Sequence, residues 1–100
     1  MEYVNPLPIV LIVDDAVENL QVLSGLLKDK YRVKIAKNGE KALELANASE
    51  KPNLILLDVV MPGMSGFEVC AQLKSDESTK NIPVIFITAL NEATDEKASQ

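Results

Sequence analysis

A chain of 100 residues with 47% hydrophobic and 25% charged side chains has the composition of one small globular domain, with enough apolar material for a single core. Its formal net charge of -5 and the lack of any basic stripe argue against a nucleic-acid surface, because an acidic body repels phosphates. One cysteine, Cys70, and no histidine exclude an internal disulfide and make a zinc site untenable, while the longest apolar run, Ile9 to Val13, is far too short to cross a bilayer, so a cytoplasmic chain without membrane contact is expected.

Met1 to Pro8, with two prolines and no period, reads as a lead-in arm, which leaves residues 9–100 as the domain. Ile9 to Val13 is continuous and β-branched, the pattern of a strand covered on both faces, and it ends in Asp14-Asp15. From Ala16 to Lys30, Ala16, Leu20, Leu23 and Leu27 keep a helical period that Val17, Val22 and Leu26 widen. Tyr31 to Ala36 sets Tyr31, Val33 and Ile35 against Arg32 and Lys34, as an edge strand with one wet face would. Asn38 is placed to cap a short amphipathic helix over Glu40 to Ala48, which Lys51-Pro52 breaks.

Leu54 to Leu57 is a second doubly covered strand, and it runs into a lone carboxylate at Asp58, followed by Val59, Val60 and a Met61-Pro62-Gly63 turn. Phe67 to Lys74 reads as a third helix on Phe67, Val69, Cys70 and Leu73, with Cys70 a small hydrophobe in it. Ser75 to Asn81 reads as a polar linker, Val84 to Ile87 as the last strand, ending in Thr88-Ala89, and Asn91 to Gln100 as the start of a fourth helix.

Strictly alternating strands and helices specify an α/β fold with a parallel sheet, because right-handed crossovers return each strand in the same direction. All strand carboxyl ends then lie on one edge, where such sheets bind ligands. Asp14, Asp15, Asp58 and Thr88 are therefore expected together. Three carboxylates at one edge repel one another until a proton or a cation relieves them. Hard oxygen ligands in this number suit Mg²⁺, and a carboxylate can accept a phosphoryl group, so the set suggests metal-assisted phosphoryl transfer to Asp58 with Thr88 offering its hydroxyl to a phosphoryl oxygen. Plainer readings exist residue by residue. Asp15 followed by Glu18 fits a helix N-cap with its capping box, and Asp58 or Thr88 alone could simply close a strand. The coincidence of four such residues on one edge favours the chemical reading.

IVLIVDD, LILLDVVMPGMSG and PVIFITAL, in this order and at these spacings, resemble the receiver domain of two-component response regulators from Ile9 to Gln100. The resemblance implies a flavodoxin-like, doubly wound sheet in the order 2-1-3-4-5. Its fifth strand and fifth helix would follow Gln100, so the expectation here is the order 2-1-3-4 in a domain truncated before the fifth strand. It further implies that Asp58 accepts phosphate from the phosphohistidine of a sensor histidine kinase or a phosphotransfer protein. Asp15 would bind Mg²⁺ directly, Asp14 mainly through water, and the backbone carbonyl of Val60 would be a further ligand. Thr88 would be the switching hydroxyl and Ala89 the small residue beside the phosphoryl group.

The implied role is a signalling receiver that catalyses only its own aspartyl phosphorylation and switches a downstream output. Left without a fifth neighbour, Val84 to Ile87 is an apolar edge through which self-association is expected. A metal-dependent phosphatase would want a second acid where Val60 stands, and a flavodoxin would want a phosphate cradle where the chain has Asp14-Asp15. The remaining alternative is a non-phosphorylated receiver-like module for interaction or dimerisation.

Overall fold

In the computed structural model, which describes residues 7–87, the apolar run Ile9–Val13 forms β1, with all five residues buried. It is followed by α1 (Val17–Leu27), β2 (Arg32–Ala36), α2 (Gly39–Ala46), β3 (Leu54–Asp58), α3 (Gly66–Ser75) and β4 (Val84–Ile87). The strands form one parallel sheet in the order β2-β1-β3-β4, as the alternation requires. β1 and β3 are the two inner strands, which explains why their sequences are apolar without alternation. On one face α1 lays Leu20, Leu23 and Leu27 over Val10, Ile12, Leu54 and Leu56. On the other, Ala42 and Ala46 of α2 and Val69 and Leu73 of α3 close over Leu11, Val13, Ile55 and Leu57. Cys70 is half-buried at the margin of that second layer, consistent with a small hydrophobe.

Several details differ from the sequence expectation. Asp15 does not cap α1: the N-cap is Ala16, with no side-chain cap, so the capping-box reading of Asp15 and Glu18 fails. Asp15 stands one residue too early, and the carboxylate that accepts from the N-cap amide of Ala16 is Asp14. α1 ends at Leu27, three residues short of Lys30, because Lys30 and Tyr31 both donate backbone bonds to the Leu27 carbonyl and tighten the exit. β2 is the edge strand anticipated, yet α1 covers Tyr31 and Val33 and leaves Ile35 half exposed.

Asn38 caps α2 by accepting from the Lys41 amide, as its position suggests. The segment expected as a polar linker after α3 is an ordered turn. Thr79 is buried and donates to the Leu73 carbonyl at 2.7 Å, and Lys74 spans the turn to donate to the Ile82 carbonyl at 2.8 Å. Most of the lead-in arm and the helix expected over Asn91 to Gln100 lie outside the described residues. Among the described residues no helix is long and apolar enough to cross a membrane.

Candidate metal and phosphoryl site

The inner strands bring the acidic residues together. Val13 of β1 stands beside Leu57 of β3, so Asp14 and Asp58, one position on, leave the sheet as neighbours. Asp14 donates its amide to the Ala36 carbonyl at 3.1 Å, which carries the β1–β2 ladder one residue past the strand and fixes the backbone there. Asp58 is held in turn by pairing with Ile87 of β4. Carboxylate oxygens of Asp14, Asp15 and Asp58 all lie within 4.8 Å of one another. Asp14 and Asp58 are each 1% exposed, whereas Asp15 is exposed. The cluster thus has a buried floor and an open rim.

Asp14 is held by neutral donors. Asp14 Oδ1 accepts from the Ala16 amide at 2.9 Å, and Oδ2 accepts from Asn19 Nδ2 at 3.1 Å. Asp58 Oδ1 accepts from the Val60 amide at 3.4 Å. Every buried side-chain nitrogen or oxygen among the described residues has a partner, as burial of polar atoms demands. Three carboxylates of hard oxygen character, two of them buried, are a donor set that fits Mg²⁺, with waters or a phosphoryl oxygen for its remaining positions.

The loop after β3 is shaped to present Asp58. Gly63 takes a φ of +78° behind Pro62, a left-handed turn that glycine adopts without strain. Met61 is buried and anchors the loop, while the Val60 side chain stays 58% exposed. α3 then begins hard against the end of β3: the Gly66 amide donates to the Val59 carbonyl at 2.9 Å. A Cβ on Gly66 would collide with the backbone oxygen of Asp58 and lie 2.9 Å from the Val59 Cα. Ser65 and Glu68 form a capping box that fixes the helix start.

Of the residues expected at the site, Asp14, Asp15 and Asp58 converge, and Val60 sits in the same turn through its amide contact to Asp58. Thr88 and Ala89 lie outside the described residues. Asn19, Ser65 and Gly66 were not anticipated. Ser65 carried a readable signal in the Ser-x-x-Glu spacing to Glu68. Beside the cluster a groove of about 490 Å³ runs between α1 and β4, lined by Asp14 and Asn19 at one end and by Val22, Leu23, Leu26 and Ile87 along it.

The family model for the response regulator receiver domain matches residues 10–99. The chain is 48% identical over 83 residues to the response regulator PleD of Caulobacter vibrioides, covering 82% of this chain and 18% of that protein. It is 46% identical over 88 residues to a probable cyclic di-GMP phosphodiesterase of Vibrio cholerae, covering 88% of this chain and 20% of that protein. It therefore spans 18–20% of the length of these relatives. With the protein PilH of Pseudomonas aeruginosa it shares 41% identity over 87 residues, 71% of that protein. Among solved structures, the N-terminal domain of a response regulator receiver protein from Methanoculleus marisnigri superposes with a TM-score of 0.77 at 35% identity, over 92% of this chain and 78% of that one. The chemotaxis protein CheY4 of Vibrio cholerae gives 0.75 at 31% identity, over 92% and 79%. With a family match over nearly its whole length, the chain belongs to the response regulator receiver domain family.

Proposed function

We propose that this chain is a phospho-accepting module in which Asp58 takes a phosphoryl group from the phosphohistidine of a sensor histidine kinase or phosphotransfer protein. The observation that carries the reading is the meeting of Asp14, Asp15 and Asp58 oxygens within 4.8 Å at the carboxyl edge of the sheet. Asp14, Asp15, Asp58 and the Val60 backbone carbonyl would hold Mg²⁺, which when bound offsets the negative charge of the carboxylates and of the incoming phosphoryl oxygens. The chain's own residues supply the rest. A carboxylate oxygen of Asp58 bonds to phosphorus as the phosphorus–nitrogen bond to the donor imidazole breaks. Burial of Asp14 and Asp58 lowers the local dielectric and strengthens every charge interaction at that point. By motif, Thr88 donates its hydroxyl to a phosphoryl oxygen and Ala89 leaves room beside it.

The acceptor is consumed in each event, so this is a switch and not a turnover enzyme. The added charge alters the surface around the edge and switches a downstream output. The work is assigned to the cytoplasm, with no nucleic acid or membrane contacted by this domain. β4 supports a second part of the reading, self-association. Among the described residues it pairs on one side alone, with β3, and Ile85 and Phe86 are 51% and 40% exposed.

Incubation with acetyl phosphate and Mg²⁺, followed by intact-mass analysis and peptide mapping, tests the central assignment. One phosphoryl group per chain is expected, on Asp58, absent with EDTA and absent from Asp58→Asn. Label that survives Asp58→Asn would contradict it. A chain that takes up no label while still self-associating would instead be the non-phosphorylated interaction module.

A further inference from the structure

The buried carboxylate of Asp14 is oriented by two donors of different kinds. One is the Ala16 amide, which the turn between β1 and α1 supplies whatever the side chains are. The other is Asn19 Nδ2, at 3.1 Å from Oδ2. Asn19 is the third residue of α1 and half-buried, and side chains on a helix lean toward its N-terminus, which carries this amide back over Asp14. An unsatisfied carboxylate oxygen at 1% exposure would be costly, so the bond has an energetic reason to persist. The donor is also uncharged. A lysine or arginine in its place would neutralise Asp14 and compete with a cation, whereas an amide holds the oxygen and leaves the negative charge for the ion. Each Asp14 oxygen keeps a second lone pair free of these two bonds.

We propose that Asn19 is a positioning residue for the metal site: its amide locks the Asp14 carboxylate in the orientation in which Asp14, Asp15 and Asp58 share one divalent cation. The proposal rests on reading that cluster as an Mg²⁺ site. Asn19 makes no contact with the ion; it acts through Asp14, as the outer partners of metal ligands do.

Calorimetric titration of the whole chain with Mg²⁺ alone tests it, comparing the unaltered chain with Asn19→Leu, which keeps the bulk and deletes the donor. Binding is expected to weaken about 10- to 100-fold, the range for loss of an outer partner. Asn19→Ser, too short to reach Asp14, gives the same comparison should the leucine variant not fold, and melting in EDTA verifies that each variant is folded. Equal Mg²⁺ affinity in a folded variant overturns the proposal while leaving the metal site standing. An unaltered chain that binds no Mg²⁺ overturns the metal reading, and this one with it. A metal-free measurement separates the two: in EDTA the Asn19 side-chain amide protons should exchange slowly and return to free values in Asp14→Ala. Amide protons in the unaltered chain that match those of the exposed Asn81 would overturn the contact itself.

Discussion

Gly66 decides how closely α3 can approach the acidic edge. A methyl group there would collide with the Asp58 backbone oxygen, and the neighbouring Val59 Cα at 2.9 Å offers no flexible side chain to swing away. Gly66→Ala should therefore cost stability at the upper end of the roughly 1–3 kcal/mol typical of overpacking. It should also weaken Mg²⁺ binding, because the displaced atoms belong to Asp58's own peptide. Chemical denaturation and a Mg²⁺ titration check this, and an unchanged midpoint would refute it. Nothing in one sequence distinguishes such a glycine from an ordinary helix-start residue, because the constraint comes from a strand end that arrives only on folding. The acidic residues are different. Asp14, Asp15 and Asp58 each follow an apolar run, and that juxtaposition is written in the primary structure. Asn19 was hidden because half-exposed polar residues on a first helical turn are ordinary until a bond is seen.

Among the elements, the inner strands were the most legible, since burial on both faces leaves no alternation to misread. Helix ends were less so, being set by single backbone bonds such as those to the Leu27 carbonyl. The turn from α3 to β4 reads as a linker in the sequence because its residues are polar and the side-chain bonds that order it form only on folding. Asp76 Oδ1 accepts from the Ser78 amide at 2.9 Å, and the one proton of the Ser78 hydroxyl is shared between Asp76 Oδ1 at 3.0 Å and Asn47 Oδ1, at the end of α2, at 2.7 Å. These bonds, the amide first and the hydroxyl second, hold the Asp76 carboxyl below its ordinary value of 3.8, with Lys51 adding a smaller pull. A carboxyl depressed in the folded state stabilises fully above its unfolded pKa, and that contribution fades as pH falls through the folded one. Ser78→Ala removes the hydroxyl and keeps the amide, so Asp76 should titrate closer to 3.8 in a carboxyl-carbon NMR titration. An Asp76 midpoint unmoved by the substitution would show that the hydroxyl does not contribute.

At the level of the whole molecule, topology does what no local motif can. Parallel crossovers carry Asp14 and Asp58 to adjacent inner strands, so one edge collects charge from segments far apart in the chain. Among the described residues the same sheet order leaves β4 at a margin, with Ile85 and Phe86 partly exposed. Light scattering should show association that rises with concentration and is lost in Ile85→Lys, whose charge would oppose edge pairing. A strictly monomeric mass across the range would contradict pairing through β4. An NMR titration of the metal-free chain with Mg²⁺ examines the acidic edge as a cation pocket, residue by residue. Saturable shifts are expected at Asp14, Asp15, Asp58 and Val60. Shifts that never saturate and scatter over exposed acids such as Asp29 and Glu50 would contradict it.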